Sequence, residues 1–249
     1  MAVLFEKYKE VLLKYLDDID NWMPHVSTFQ SRLWFTKMIQ QYEIWKPTMD
    51  LPGHVVELGV FQGESFFHWA RLIEAFNMGE RHTRVIGFDN FAGFTKINDK
   101  DKTTDTESID AGGIKSQVVS GGFNPGEKAY QRVQELIEIF ENDHFVPQRK
   151  RLEIVKGDII KTVPEYVKNH PGMRISLLHL DCDLYEPTMI GLKHLYHLVV
   201  SGGAIILDEY ALEKFAGETS AFDEFFGDKK PKLFRSRIAN SPTGWFYKE

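Results

Sequence analysis

The sequence predicts an α/β fold with a mostly parallel sheet covered by helices on both faces. Three observations carry this. Short apolar runs begin near residues 54, 84, 152, 175 and 202. Helical patterns separate them, so the strands are joined by crossovers and lie parallel. The first run, "HVVELGV", breaks into a glycine turn that opens a helix, the arrangement of Rossmann-like sheets. With 249 residues, 43% of them apolar, the chain is long enough for one large domain around a sizeable core.

Each element has its own signal. Leu4, Tyr8, Val11, Leu12, Tyr15 and Leu16 form one apolar stripe at helical spacing, and "STFQSRLWFTKMIQQYEIW" forms a second. Residues 1–50 therefore read as an N-terminal helical extension or cap, its Met and aromatic residues mostly core, closed by Pro47 and "LPG" at 51–53. Residues 51–249 read as the main domain. Strands are expected at 54–60, 84–90, 152–158, 175–183 and 202–210. Helices are expected at 63–76, 126–143, 162–170, 186–199 and 218–227, with Pro187 suited to a first turn. "KLFRSRIA" and "GWFYK", separated by "NSPT", suggest a terminal β-hairpin, which brings the sheet to seven strands. The stretch 91–125, rich in Gly, Asp, Lys, Ser and Thr, is too long for an ordinary connection. It is either a lid inserted over a site or disordered without ligand.

Bulk properties exclude several functions. A net charge of −6 gives no basic footprint for nucleic acid. No apolar run approaches the length a membrane helix needs, and the N-terminus lacks the apolar centre of a signal peptide. The single cysteine, Cys182, leaves no internal disulfide, which fits a cytoplasmic location.

The first turn narrows the cofactor. It reads Gly59-Val60-Phe61-Gln62-Gly63. A dinucleotide fingerprint needs a middle glycine so that the backbone can approach a pyrophosphate, and here Phe61 stands in that place. Glu57 before the turn repels phosphates but suits a sulfonium. Asp89, at the end of the second strand, can accept ribose hydroxyls, and Asp158, at the end of the third, can take an adenine amino group or cap a helix. An adenosine with a positive tail and no phosphates is S-adenosylmethionine. Gly63, Ser65 and Asn90 join the candidate cofactor residues by their place beside these.

Acids gather at the later strand ends. "HLDCDLYEPT" ends the fourth strand and "ILDEY" the fifth, so Asp181, Asp208 and Glu209 should converge. Unpaired, such carboxylates are costly to bury, and a divalent ion that prefers oxygen, Mg²⁺, Mn²⁺ or Ca²⁺, relieves the cost, with Mg²⁺ or Mn²⁺ taken first. Asp183 either completes the cluster or caps the next helix, the cap being favoured. His179 faces the same way as Asp181 and is a second choice, after Asp181, for a proton acceptor. Tyr185 and Tyr210, next to these acids, are candidate substrate contacts. His194 and His197 lack a third ligand nearby and read as surface or packing residues.

With these residues in view, the chain resembles a known family. "VVELGVFQGES", "GFDNFAGF", "LLHLDCDLYEPTMIGLKHLYHLVVSGGAIILDEY" and "SAFDEFF" are similar to the macrocin O-methyltransferases, metal- and S-adenosylmethionine-dependent enzymes that methylate sugar hydroxyls of antibiotics and related metabolites. The similarity runs in order through most of residues 50–228. It implies a class I methyltransferase fold, a metal held by Asp181, Asp208 and Glu209, a cofactor around Glu57, Gly59, Asp89 and Asp158, and a homo-oligomer. Where the family often has two aspartates before the tyrosine, this chain has Asp208-Glu209. Where some relatives carry a histidine base, it has Leu184. The expected activity is methyl transfer to a sugar hydroxyl. The alternatives are a methyltransferase for another vicinal diol such as a catechol, a cofactor-binding accessory protein without turnover, and a nicotinamide dehydrogenase, the last opposed by Phe61 and Glu57.

Overall fold

The computed structural model describes residues 2–103, 109–111, 114–116, 118–143, 145–146 and 149–249. The expected lid at 91–125 therefore lies partly outside the described residues. The main sheet has six strands in the order β5-β2-β1-β6-β7-β8: β1 (His54–Leu58), β2 (Val85–Asp89), β5 (Leu152–Lys156), β6 (Ile175–Leu180), β7 (Val199–Leu207) and β8 (Gly244–Tyr247). All pairings are parallel except β7 with β8. β3 (Ile109–Ala111) and β4 (Ile114–Ser116) form a separate antiparallel pair inside the 91–125 stretch.

Side-chain alternation sorts the strands into two buried faces. Val56, Leu58, Leu178, Leu180 and Leu207 pack with helices α6 (Ile159–Asn169), α7 (Tyr185–Leu195) and α8 (Ala216–Phe226). Val55, Leu177, Ala204 and Ile206 pack on the other side with α3 (Arg32–Trp45), α4 (Glu64–Phe76) and α5 (Ala129–Asn142). Glu57 and His179 are register partners across β1 and β6, and by alternation both point into the second face, among apolar neighbours. Two ionisable groups in such a place need one another or a third partner.

From β1 the sheet grows outward to β2 and β5, and after β6 it grows the other way. The direction reverses between β1 and β6, and the crevice at the carboxyl ends of such neighbours is where α/β sheets hold ligands. Gly59 closes that crevice. Its φ is +92°, and a Cβ there would lie 1.7 Å from the carbonyl oxygen of Asp181. Only glycine lets the end of β1 approach the end of β6 so closely.

Two expectations are corrected. The seventh strand is reduced to a single bridge from Phe234 to Trp245. Ser236 explains this: its hydroxyl accepts the backbone N–H groups of Ile238 and Ala239, so the chain turns instead of extending. The apolar stripe of the first helices is not core either. From residue 6 through α1 (Ala2–Lys14), α2 (Ile19–Trp22) and the turns up to Ser31, no side chain is buried, and Val11, Leu13, Leu16, Met23 and Val26 are exposed. Burial begins inside α3, at Gln40, Gln41, Ile44 and Trp45. Among the described residues no helix is long and apolar enough to cross a membrane.

Candidate active site

The turn after β1 is organised by Asp89. Its Oδ2 accepts the backbone N–H groups of Val60 at 2.8 Å and Phe61 at 2.7 Å, and its Oδ1 accepts that of Phe91 at 2.6 Å. Phe61 and Phe91 both have positive φ, a conformation that costs energy for a large side chain. Charge-assisted bonds from one carboxylate offset that cost at both positions. Asn90 builds an Asx turn beside it, accepting from Ala92 N–H and donating to the carbonyl of Gly93 at 3.0 Å. Gly63, at φ +89°, leads into α4. Asp158 caps α6 by accepting from Ile160 N–H at 3.0 Å. Asp89, Asn90, Gly59 and Gly63 thus share one edge of the crevice, and Asp158 follows the neighbouring β5.

Glu57 does not reach that edge. It is fully buried, accepts a hydrogen bond from Ser65 on α4, and has Oε1 3.9 Å from His179 Nδ1. Burial pushes its carboxyl up to about 7, against the opposing pull of His179 and Ser65. Its second oxygen, Oε2, has no hydrogen-bond partner. Ser65, expected beside the cofactor, donates its hydroxyl to Glu57.

His179 continues the chain of contacts. Its Nε2 lies 3.3 Å from Asp208 Oδ1 and 3.8 Å from Asp181 Oδ2, and Trp69 stands edge-on to its ring. Burial works against the imidazolium, but Asp208, Asp181 and Glu57 together raise its pKa. With no exposed surface, His179 meets a substrate only through the carboxylates above it. One atom each from Glu57, His179 and Asp181 lies within 4.8 Å of the others. The first two are sealed beneath the sheet edge, so this trio does not form an open ion site.

Asp181 and Asp208 do converge, as the sequence predicts, and a residue the sequence reading missed joins them. Lys37 on α3 places its Nζ 3.1 Å from Asp208 Oδ2 and 3.5 Å from Asp181 Oδ2. Burial opposes the ammonium, but the two carboxylates more than compensate and raise its pKa. Burial likewise opposes the Asp208 carboxylate. Lys37, His179 and Ser241, whose hydroxyl donates to Oδ2, hold it well below the usual range. A lysine 171 positions from Asp208 carries no local signal that could have revealed it.

More acids crowd the same place. Asp183 does not cap the next helix: α7 is preceded by Leu184 with no side-chain cap, and Asp183 sits buried at φ +62°. Glu218 on α8 is wholly buried, accepts the Glu209 N–H at 3.0 Å and leaves Oε2 without a partner. It was legible in principle, as an acid on the apolar face of an amphipathic helix. Burial, and then repulsion among neighbouring acids, raise the pKa of Asp181, Asp183, Glu209 and Glu218. One ammonium and one imidazole stand among the carboxyl groups of Asp181, Asp183, Asp208, Glu209 and Glu218, with Glu57 beneath. The oxygens of Asp181 and Asp208, which share Lys37, are of the kind that suits a hard divalent cation.

Both tyrosines have partners within the protein. The Tyr185 hydroxyl donates to Glu224 Oε2 at 2.9 Å and accepts from Lys100 Nζ at 3.1 Å, and its N–H donates to Asp101 Oδ1 at 2.7 Å. The Tyr210 ring packs edge-on to Phe222, with centroids 5.1 Å apart. The Tyr185 contacts pin residues 98–101 onto α7 and α8, helped by Lys96 and Asn98, both bonded to Glu186. Phe94 and Phe61 each meet Phe123, which in turn meets Phe215, so an aromatic cluster joins the glycine turn to the stretch that follows β2.

Comparison with known proteins accords with this arrangement. The profile of the macrocin O-methyltransferase (TylF) family matches residues 39–231. Over 166 residues the chain is 25% identical to mycinamicin III 3''-O-methyltransferase of Micromonospora griseorubida, covering 65% of this chain and 57% of that protein. Over 164 residues it is 26% identical to the 8-demethyl-8-(2,3-dimethoxy-α-L-rhamnosyl)-tetracenomycin-C 4'-O-methyltransferase of Streptomyces olivaceus, covering 66% and 55%. The chain thus spans a little over half the length of these curated relatives. Among solved structures, the calicheamicin methyltransferase CalS11 matches with a TM-score of 0.86 at 24% identity, over 99% of this chain and 91% of that one. The O-methyltransferase NovP matches with a TM-score of 0.58 at 22% identity, over 84% and 79%. At such identities the structural likeness speaks for the fold, here that of class I methyltransferases. The family profile spans well over half of the sequence and includes both acid-bearing strand ends, and on that ground the chain belongs to the macrocin O-methyltransferase family.

Proposed function

We propose that the protein transfers a methyl group from S-adenosylmethionine to a hydroxyl of a sugar or sugar-bearing metabolite, with a divalent ion, Mg²⁺ or Mn²⁺, at Asp181, Asp208 and Glu209. The observation that carries the reading is the meeting of Asp181 and Asp208 at the crevice, with the Asp89-braced glycine turn at its side. Where a pyrophosphate needs a middle glycine for close backbone approach, the turn carries Phe61. A sulfonium needs no such approach.

In this reading the chain's own groups divide the work. Gly59, Gly63, Asp89, Asn90 and Asp158 seat the cofactor, and Glu57 and Ser65 brace the turn from below. Asp181, whose side chain retains 23% exposure, takes the proton from the acceptor hydroxyl. His179, with none, orients Asp181 and Asp208 from beneath. A divalent ion bound there supplies Lewis-acid charge that lowers the pKa of a hydroxyl. Holding donor and acceptor in line supplies a further share of the rate. The stretch 91–125, whose residues 96–101 are tied to α7 and α8, serves as a lid that keeps water out. Tyr210 and Tyr185 border the acceptor. A homo-oligomer belongs to the reading too, with the exposed apolar side chains at Val11, Leu13, Leu16 and Met23 as the contact.

The test is transfer of labelled methyl from S-adenosylmethionine to a panel of glycosylated metabolites and nucleotide sugars, with catechol as the competing acceptor class. Label on a sugar hydroxyl that disappears with EDTA and returns with Mg²⁺ or Mn²⁺ is the expected result. Label on catechol alone, or full activity in EDTA, contradicts the substrate or the metal part respectively.

A further inference from the structure

The divalent ion that the acids suit and the ammonium of Lys37 compete for the same oxygens. Nζ lies 3.1 Å from Asp208 Oδ2 and 3.5 Å from Asp181 Oδ2, with the lysine side chain only 16% exposed. An ion bound to these two carboxylates would stand against a positive charge, inside a site with little water to screen it. One cation has to leave. The backbone of α3 is not free to do so: His68 Nε2 meets the carbonyl of Met38 at 3.1 Å, Ser236 donates to Gln40 at 2.7 Å, and the Tyr247 hydroxyl donates to the carbonyl of Ile44 at 3.2 Å. The four-carbon stem of a lysine, by contrast, has rotamers to spare.

We propose that Lys37 is a tethered cation that neutralises Asp181 and Asp208 in the metal-free protein and swings away when a divalent ion binds, so that the ion's affinity is set against an internal competitor. The helix stays docked and only the ammonium moves. The lysine keeps the acids from repelling one another while the site awaits its ion, and it weakens ion binding by the cost of its displacement. This rests on the reading of Asp181 and Asp208 as ion ligands.

The experiment uses Mn²⁺ itself as the probe. Free Mn²⁺ is counted by electron paramagnetic resonance during titration of the wild-type protein, Lys37→Met and Asp208→Asn. In parallel, the rate of acetylation at Lys37 in the wild-type protein is followed by mass spectrometry, with and without saturating Mn²⁺. Lys37→Met is expected to bind Mn²⁺ at least tenfold more tightly than wild type, Asp208→Asn to lose binding, and Lys37 to be acetylated severalfold faster when Mn²⁺ is bound. Equal or weaker binding by Lys37→Met, or an unchanged acetylation rate at saturation, overturns the proposal while leaving the ion site standing. If Lys37→Met does not fold, the acetylation rate decides alone. No binding by either wild type or Lys37→Met removes the ion site, and the competitor with it.

Discussion

Replacing Asp181 with asparagine should lower turnover at least a thousandfold while leaving the affinity for S-adenosylhomocysteine within about threefold of wild type. The two halves of this expectation have separate physical grounds. Asparagine keeps the shape of the side chain but loses the charge that faces Lys37 and the ability to accept a proton. A general base contributes roughly 10²–10⁴-fold, and loss of a ligand to a Lewis-acidic ion adds to that. The cofactor side is touched only through the backbone: it is the carbonyl of residue 181 that lies against Gly59, and asparagine leaves it in place. Asp208 still holds Lys37 at 3.1 Å, so the variant should fold. Turnover within tenfold of wild type would refute the role given to Asp181. A large loss of cofactor affinity would show instead that the acid pair and the glycine turn form one binding unit.

Asp89→Asn should do the opposite, weakening S-adenosylhomocysteine binding on the order of a hundredfold. Three backbone N–H groups converge on the carboxylate, from Val60, Phe61 and Phe91. An amide has one oxygen. Whichever way it is turned, its NH₂ group faces at least one N–H donor, leaving that donor unpaired. Hydrogen bonds to a charged group are worth about 1.5–3 kcal/mol each, and one such loss corresponds to roughly a tenfold to hundredfold change in an equilibrium. Because Phe61 and Phe91 are held at positive φ by these bonds, the turn should relax toward a conformation that no longer shapes the site. Calorimetric titration of the variant checks this. Wild-type affinity would mean that the turn is held by packing, with the Phe61–Phe123 contact the first suspect.

These expectations differ in how far the sequence supports them. Strand ends are legible because each apolar run stops at an acid or a glycine, and this marks Glu57, Asp89, Asp181 and Asp208. What each does there was less legible. Asp89 sits at the predicted strand end, but its bonds to turn amides depend on a backbone geometry that the residue order does not encode in any obvious way. Asp183 looked like a cap because caps follow strand ends, yet its left-handed φ turns it into the acid cluster instead. Lys37 was beyond reach: a lysine in "WFTKMIQ" on an amphipathic helix reads as a solvated residue, and only the docking of α3 beside β6 and β7 gives it two carboxylates. The N-terminal stripe failed for a related reason. Periodicity says that a face is apolar but not which surface covers it, and among the described residues of this chain nothing buries Val11 or Leu16. The last strand was lost to one serine, whose hydroxyl competes for backbone groups in a way that strand propensity does not register.

The measurement that tests the central claim most directly is calorimetric titration of the wild-type protein with S-adenosylhomocysteine, with NAD as the control. The account predicts 1:1 binding of the first and none of the second. Binding of NAD would contradict it, because the crowded turn at Phe61 would then have to admit a pyrophosphate, and the acids beside it would need another purpose.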